Sequence, residues 1–504
     1  MTHNTKIHTR LQLVSFFSGA ATMILELAGS RLVAPYFGTS LIVWTALIGI
    51  IMTSLCLGNW LGGSAADKRP EARVLGRILM FAAIIIAVTA FASNWILTRL
   101  QDLNLNLYVS SVYSAAAIFA PSSMLLGMVQ PFCVRLALQN VSGSGTVVGR
   151  LSALNSAGSI LGTFLGGFVL ISLFPSGVIL MLVASMIALL SVLVYTGAWR
   201  KIIASIVFLA VTGGILAAEK YGLPFSPVGE QIDTAYNHIS VAESIDRRNG
   251  RRVRIMITDP DAAQSLMYLD NPSELVSDYT KFYDLAFHYN PNATRVLMLG
   301  GGGYCVPKHI ISERPGASID VVEIDEGVTE TARKYFALED SPNMRIFHED
   351  ARTFLNRSDK LEPYDAIFMD TFNSAIVIPF HLTTVEAGAK LHSLLKPGGV
   401  LVVNIISSVY GPKSGVFHGI YKAFSQSFGT MMIFPANAPE PKYAGALQNI
   451  MLVAGDFVPE ATASNDKYSA LLSHQWLQPF TPDPVVPAFS DAFAPVERYA
   501  LIQQ

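Results

Sequence analysis

The sequence predicts a multi-pass α-helical membrane bundle followed by an α/β domain with a parallel sheet. Of the 504 residues, 51% are hydrophobic and 14% are charged, and the mean hydropathy is +0.42, which is too apolar for a soluble protein of this size. Residues up to about 219 are nearly free of internal charge, whereas the later residues have an ordinary soluble composition. Between Arg295 and Asp325, two short apolar runs flank a glycine-rich turn and a helical segment, which is typical of a βαβ unit.

About seven membrane spans are predicted in residues 1–219, because a span needs about 20 mostly apolar residues. The first is expected to be an uncleaved helix, since the polar N-terminus leads straight into it without a small-residue cleavage site. Gly158, Gly162 and Gly166 have the spacing that favours close packing of helices in lipid. The spans are expected at roughly 11–30, 41–63, 75–97, 108–138, 146–172, 175–198 and 201–218.

Basic residues give the bundle an orientation. They occur before the first span, after the second, around the loop after the fourth and before the last, and the positive-inside rule makes this side cytoplasmic. Seven spans would then put the second half of the chain outside. One ionisable residue, Glu26, lies inside a span, where it can contact a cationic substrate or pair with Arg31 or Asn155.

Composition also excludes several classes of site. A net charge of −2 and the lack of a basic stripe with interleaved aromatic residues argue against nucleic-acid binding. The three cysteines are far apart, so neither a disulfide framework nor a metal site is predicted from them.

The second half begins with an expected linker at 220–235 and a β-rich subdomain at 236–278. Alternating residues in 238–244 and 252–257, around Arg248-Asn249-Gly250, predict a β-hairpin, and a third strand is expected at 265–269. Apolar residues at helical spacing predict one amphipathic helix over 273–289. Residues 279–504 are expected to form the Rossmann-like domain.

Carboxylates follow successive predicted strands of that domain. The run 296–299 leads into Gly300, Gly301, Gly302 and Gly303, and later strands are expected at 319–322, 345–348, 364–369 and 400–405. Ligands of open α/β sheets bind beyond the carboxyl ends of the strands. Glu323, Asp350 and Asp370 all fall there, so they are predicted to share one site.

These motifs resemble the spermidine/spermine synthase family, aminopropyltransferases on a methyltransferase-like fold, and the whole chain resembles its membrane-fused members. The motifs are VLMLGGGG (296–303), VVEID (321–325), EDA (349–351), YDAIFMDTF (364–372), LKPGG (395–399) and DAFAPVE (491–497), with weaker support from YNHISVAES (236–244), Gln264 and DYT (278–280).

The resemblance implies roles for individual residues. Glu323 would hold the ribose hydroxyls, Asp350 with Ala351 the adenine amino group, and Gly300–Gly303 the nucleoside and sulfur. Asp370 would be the base that deprotonates the attacking amine, with Tyr279 beside it. Gln264 and Asn237 would close over the ligand. No metal is implied.

The sequence also departs from the family pattern. Gly303, followed by Tyr304 and Cys305, stands where the family has an acid, and Asn373 replaces a second acid after the base. These acids bind ammonium groups, and each charge-assisted hydrogen bond lost costs about 1.5–3 kcal/mol. Asn373, Tyr304 and Glu26 are therefore tentative substrate contacts, and the co-substrate is either decarboxylated or intact S-adenosylmethionine.

The expected function is aminopropyl-type transfer from such a sulfonium nucleoside to a small-molecule amine, which releases methylthioadenosine. Two alternatives remain: an enzyme acting on S-adenosylmethionine itself, as a lyase, cyclase or methyltransferase, or a transporter whose soluble domain senses the nucleoside. The expected location is the cell (inner) membrane, in contact with the lipid bilayer. A cytoplasmic soluble domain is favoured, and the resemblance allows a homo-oligomer.

Overall fold

The computed structural model describes residues 2–37, 40–103, 105–138, 144–194, 230–234, 236–259, 262–372, 378–457 and 468–501. The chain divides into two compact units, Met1–Val228 and Gly229–Gln504. The candidate span 201–218 and Asn373 both lie outside the described residues.

The first unit is a bundle of long apolar helices. Six of the helices in the described residues are long and apolar enough to cross a membrane. The helix α5 continues through a π-helical turn, Leu165–Leu170, and a last α-helical turn, Ile171–Leu173. The six helices are α1 (Thr2–Phe37), α2 (Leu41–Lys68), α3 (Ala72–Gln101), α4 (Leu107–Ala137), α5 (Ser144–Phe164) and α6 (Ser176–Val194).

Glycines allow the close approach of α5 to α1, as their spacing predicted. A Cβ added at Gly158 would lie 1.8 Å from the main-chain oxygen of Phe16, and one at Gly162 would lie 2.5 Å from that of Ala20. Neither position has room for a side chain, so these two residues let the helix backbones touch.

The described residues of the second unit form two sheets. The smaller sheet is antiparallel in the order β1-β2-β3-β4, and the larger has seven strands in the order β10-β11-β9-β8-β5-β6-β7. The strands of the smaller sheet are β1 (Glu230–Asp233), β2 (His238–Ile245), β3 (Arg252–Asp259) and β4 (Ala262–Tyr268). Those of the larger sheet are β5 (Arg295–Leu299), β6 (Ser318–Glu323), β7 (Met344–His348), β8 (Tyr364–Met369), β9 (Leu395–Ser407), β10 (Thr430–Pro435) and β11 (Gln448–Gly455).

Five neighbouring strands of the larger sheet, β7-β6-β5-β8-β9, are parallel, and β11 is antiparallel to both β9 and β10. The central strands are buried on both faces, as all six residues of β8 show, because helices cover both sides. The α-helices of this unit are α7 (Leu285–Tyr289), α8 (Cys305–Glu313), α9 (Glu326–Tyr335), α10 (Ala351–Leu355), α11 (Val385–Ser393), α12 (Gly415–Phe424), α13 (Ser469–Leu472) and α14 (Val496–Leu501).

Two predictions for the first part of this unit, before β5, were wrong. The predicted hairpin is confirmed as β2 and β3, but the end of the predicted linker is not a linker: it forms β1, which pairs with β2 in a four-stranded sheet. The predicted helix over 273–289 is instead a 3₁₀ helix, Asp278–Asp284, followed by the short α7. Leu275 forms a bridge with Met267 of β4, and this pairing competes with a helix starting at residue 273.

Candidate active site

The glycine-rich turn joins β5 to α8 at the carboxyl end of the sheet. Gly300 and Gly302 have φ angles of +93° and +51°, a region that favours glycine. A Cβ at Gly300 would lie 2.2 Å from the main-chain oxygen of Asp370. The missing side chain therefore lets the turn lie directly against the end of β8.

Glu323 ends β6 and is 8% exposed. Its Oε2 accepts hydrogen bonds from the main-chain nitrogens of Gly301 (2.9 Å) and Gly302 (3.2 Å), and its Oε1 accepts one from Asp325 (3.0 Å). Burial raises the pKa of Glu323, and these backbone donors partly offset that rise by stabilising the charged form. The predicted ribose carboxylate is thus also the group that fixes the glycine-rich turn.

Asp370 follows β8 and is held by two side chains. Its Oδ1 accepts a 2.8 Å hydrogen bond from the amide of Asn404, and its Oδ2 accepts a 3.2 Å bond from the hydroxyl of Tyr279. Burial raises the pKa of this carboxyl above its usual range, while the donors act in the opposite direction. Burial beside Asp370 also raises the pKa of Tyr279, so Tyr279 remains a neutral donor.

Asp350 and Ala351 start α10 at the end of β7. The Oδ1 of Asp350 caps the helix by accepting a 2.9 Å hydrogen bond from the nitrogen of Thr353, and its Oδ2 lies 3.3 Å from Nε2 of His381. Ala351 is buried. Both oxygens of Asp350 therefore already face a protein group.

Gln264 lies where β4 bulges. Met256 is opposite Ser265 and Ile257 is opposite Ala263, so Gln264 is the extra residue, and such bulges re-aim side chains. Its Oε1 is buried and has no hydrogen-bond partner in the described part of the chain, and the same holds for Oγ1 of Thr371. Buried polar atoms are usually hydrogen-bonded, so these two oxygens are candidate contacts for a bound ligand.

Two other predicted contacts have partners in the protein. Asn237 donates a 2.8 Å hydrogen bond to Asp325, the residue that caps α9. Tyr304 is fully buried, with a φ of 54°, and its hydroxyl lies 2.7 Å from that of Thr329. The ring of Tyr304 lies under the turn, within 2.7 Å of where a Cβ of Gly301 would be.

Ser265 of the smaller sheet and the ring of Phe336 fill the space beside Gly303. The hydroxyl of Ser265 accepts a 2.8 Å hydrogen bond from the nitrogen of Gly303, and a Cβ at Gly303 would lie 2.8 Å from Cβ of Ser265 and 3.0 Å from the ring of Phe336. The acid that the family pattern has at this position would collide with both residues.

The structure brings together the Gly300–Gly303 turn, Glu323, Asp370 and Tyr279. Gln264 precedes Ser265 on β4, which contacts Gly303. The sequence analysis missed Asn404, Ser265 and Thr371. Asn404 carried a signal, because it is the polar residue within the apolar run of β9. Glu26 belongs to the other unit and is described separately below. In the described residues, no group of three or more His, Cys, Asp or Glu side chains is placed to hold a metal ion.

Comparisons with known proteins match this unit. Residues 280–464 match the family model of the spermine/spermidine synthase domain. The polyamine aminopropyltransferase of Vibrio vulnificus is 36% identical over 139 residues, which cover 27% of this chain and 46% of that protein. The enzyme of the same description from Clostridium beijerinckii is 26% identical over 170 residues, covering 31% and 57%. The chain thus spans about half the length of these curated relatives.

Among solved structures, a probable spermidine synthase from Corynebacterium glutamicum has 21% identity and a TM-score of 0.43, covering 54% of this chain and 99% of that one. The family match covers the turn, the carboxylates and β5 to β11. The second unit of this chain thus contains a region, residues 280–464, that matches the spermine/spermidine synthase domain, a family with a methyltransferase-like fold.

Proposed function

We propose that the second unit transfers an aminopropyl-type group from decarboxylated S-adenosylmethionine to an amine and releases methylthioadenosine. The observation that carries this proposal is the Asp370 carboxylate, held by Asn404 and Tyr279 directly against the glycine-rich turn. The family match supports the class of reaction, and the curated relatives are described as polyamine aminopropyltransferases.

Asp370 has the properties that the transfer requires. An amine attacks carbon only after it has lost a proton, and the burial that raises the pKa of Asp370 makes this carboxylate a better proton acceptor. The new carbon–nitrogen bond forms as the carbon–sulfur bond breaks, the sulfur keeps that electron pair, and the amine proton passes to Asp370. The negative charge of Asp370 also favours a cationic sulfonium nearby.

The nucleoside is proposed to lie against Glu323. Three backbone donors already use this carboxylate, which leaves an acceptor position on Oε1 for a ribose hydroxyl. The unpartnered oxygens of Gln264 and Thr371 offer further positions for ligand donors. At the adenine end, an amino group would share Oδ2 of Asp350 with His381.

The test is the release of methylthioadenosine from decarboxylated S-adenosylmethionine in the presence of a panel of polyamines, followed by mass spectrometry on the full-length chain. Asp370→Asn keeps the shape of the side chain but removes the base, so we expect a loss of about 10²–10⁴-fold. Asp340→Asn, at an exposed position, is the matched control. A wild-type chain that releases no methylthioadenosine with any amine would contradict the proposal.

A second candidate function uses intact S-adenosylmethionine, by cleavage, cyclisation or methyl transfer. The observation that favours it is the filled space beside Gly303, which leaves no room for the acid that would repel the carboxylate of the intact ligand. Calorimetry with both ligands separates the two candidates. A clear preference for the decarboxylated ligand removes the second one.

We also propose that the chain is a multi-pass protein of the inner membrane with its second unit in the cytoplasm. The six candidate spans of the described residues place both ends of that segment on the same side, and the basic clusters at 68–77 and 135–150 then lie on that side too. A fluorescent reporter fused to the C-terminus, which matures only in the cytoplasm, is expected to be bright. A signal from a C-terminal reporter that is active only in the periplasm would contradict this orientation.

A further inference from the structure

Helices α1 and α4 of the bundle meet along a seam that two contacts define. The hydroxyl of Ser15 donates a 2.7 Å hydrogen bond to Oε1 of Gln130. A Cβ added at Gly29 would lie 2.8 Å from the ring of Phe119. Residue numbers rise along α1 as they fall along α4, so the two helices are antiparallel. The α1–α4 seam is the stretch between these two contacts.

Glu26 lies on the α1 side of this seam. It is about three helical turns from Ser15 and about one turn from Gly29, so helical geometry places all three residues on one face of α1. Glu26 is half-buried in the bundle. In the described residues its carboxylate makes no hydrogen bond or ion pair.

Ser123 lies on the α4 side. It is about one turn from Phe119 and about two turns from Gln130, which places it on the face of α4 that meets α1. The antiparallel register brings it within about one turn of Glu26 along the seam. Ser123 is 0% exposed, and its hydroxyl has no hydrogen-bond partner among the described residues. The adjacent Ser122 differs, because it donates a 3.1 Å bond to the main-chain oxygen of Phe119.

A third polar group of the seam also lacks a hydrogen-bond partner among the described residues. The Nε2 of Gln130 is buried and has no partner in the part of the chain that the structure describes. Buried polar groups in proteins are almost always hydrogen-bonded, and an ionisable side chain inside a membrane is costly unless it has a function. A single helix contact thus contains one carboxylate and two buried polar groups without a hydrogen-bond partner in the described residues. This arrangement indicates a binding site for a polar ligand.

We propose that the α1–α4 seam binds the ammonium group of an organic amine, with Glu26 as the counter-charge and the Ser123 hydroxyl as a second acceptor. An alkylammonium has three hydrogen-bond donors on a compact charge, which suits one carboxylate and one hydroxyl. Its carbon chain suits the buried Phe119 and Leu126 on the same face of α4. Hard metal cations, in contrast, surround themselves with many oxygen ligands.

The experiment measures the reactivity of Glu26 itself. The full-length chain in lipid nanodiscs is treated with dicyclohexylcarbodiimide, an apolar reagent for carboxyl groups in membranes, and labelling of the Glu26 peptide is quantified by mass spectrometry. Putrescine and spermidine are the probes. Neutral 1,4-butanediol and sodium chloride at matched ionic strength are the controls.

We expect both amines to protect Glu26 in a saturable way, while butanediol and sodium chloride do not. Ser123→Ala is expected to raise the amine concentration for half-protection by about tenfold, because a hydrogen bond to a charged group is lost. Ser122→Ala, one residue away, is the matched control and should leave that concentration unchanged.

Protection by butanediol or sodium chloride to the same extent, no protection by either amine, or equal half-protection in Ser123→Ala would each overturn the proposal. The Asp370→Asn variant separates this site from the proposed transferase. It should lower release of methylthioadenosine by about 10²–10⁴-fold and leave protection of Glu26 intact, so either proposal can fail without the other.

Discussion

Asn404 of β9 lies beside Asp370, the residue that directly follows β8, and the amide of Asn404 donates a 2.8 Å hydrogen bond to the carboxylate. The pairing of Met369 with Val403 places them at the next step of the β8–β9 ladder. The amide of Asn449 on β11 donates a 2.9 Å bond to Oδ1 of Asn404. This second bond turns the NH₂ group of Asn404 towards Asp370.

Replacing Asn404 with alanine is expected to move the acidic limb of the rate–pH profile to higher pH. The charged form of Asp370 is the proposed base, and the donor from Asn404 stabilises that form, so its loss raises a pKa that burial has already raised. A charge-assisted bond of about 1.5–3 kcal/mol corresponds to about one to two pH units. The measurement is kcat/KM for methylthioadenosine release against pH.

Asn343→Ala is the control for this shift, since Asn343 donates to the main-chain oxygen of Pro315 at the opposite edge of the sheet. An acidic limb that stays in place in Asn404→Ala would show that the titrating group is not Asp370.

Tyr279→Phe is expected to lower kcat about tenfold and to shift the acidic limb in the same direction as Asn404→Ala. The hydroxyl of Tyr279 is the other donor to Asp370, and phenylalanine retains the ring and its packing. Steady-state kinetics across pH measures both effects. Tyr443→Phe, at an exposed position, should behave as wild type, and a change in KM alone for Tyr279→Phe would contradict a role at the base.

Gly303→Ala is expected to reduce the free energy of unfolding of the second unit by about 1–3 kcal/mol, because the added Cβ overpacks against Ser265 and Phe336. Gly316→Ala is the matched control, since a Cβ there meets no atom within 4 Å. Thermal unfolding monitored by near-UV circular dichroism compares the two. Adding Ser265→Gly to Gly303→Ala should recover part of the loss, and equal stability of the two single variants would be the contrary result.

Asp320→Asn is expected to destabilise the second unit by about 1–3 kcal/mol without a comparable loss of activity in the folded fraction. Asp320 is 3% exposed and accepts hydrogen bonds from Arg345 (2.7 and 2.6 Å) and from the hydroxyl of Tyr364 (2.8 Å). The neutral amide removes the negative charge that these donors face, and its NH₂ group cannot accept a hydrogen bond. Urea denaturation measures the effect.

Asp340→Asn is the control for Asp320→Asn, because Asp340 is exposed and pairs with Arg333 only at the surface. A large loss of kcat in folded Asp320→Asn would show that the amino end of the sheet influences the chemistry.

Gly158→Ala is expected to weaken the bundle, because its Cβ would lie 1.8 Å from the main-chain oxygen of Phe16. Gly149→Ala lies on the same helix and meets no atom within 4 Å, so it should be neutral or slightly stabilising. The melting temperature of the full-length chain in detergent micelles compares the two. Equal melting temperatures would mean that α1 and α5 do not pack through Gly158.

The carboxylates of the site could be predicted because their geometry is local. Glu323 ends one buried parallel strand and Asp370 directly follows another, and the ends of such strands meet at one edge of a sheet. Asn404 belongs to a predicted strand, yet its partner could be found only once β8 and β9 were known to be neighbours.

Contacts between distant segments could not be predicted in this way. The residues 273–289 have helical spacing, but Thr280, Phe282 and Tyr283 are all buried in consecutive 3₁₀ turns, and Leu275 pairs with β4. Tertiary packing thus overrode the local pattern. The contact of Ser265 with Gly303 joins two sheets, and no spacing within either segment indicates it.

The contact between Ser265 and Gly303 limits the order in which these two positions can change during evolution. The Cβ of an aspartate at position 303 would lie 2.8 Å from Cβ of Ser265, so this exchange is expected to be tolerated better after position 265 has become smaller. Either residue constrains the other, so the pair would have to change in a fixed order, with position 265 becoming smaller first. A single exchange at position 303 is therefore not expected to restore the acid of the family pattern on its own.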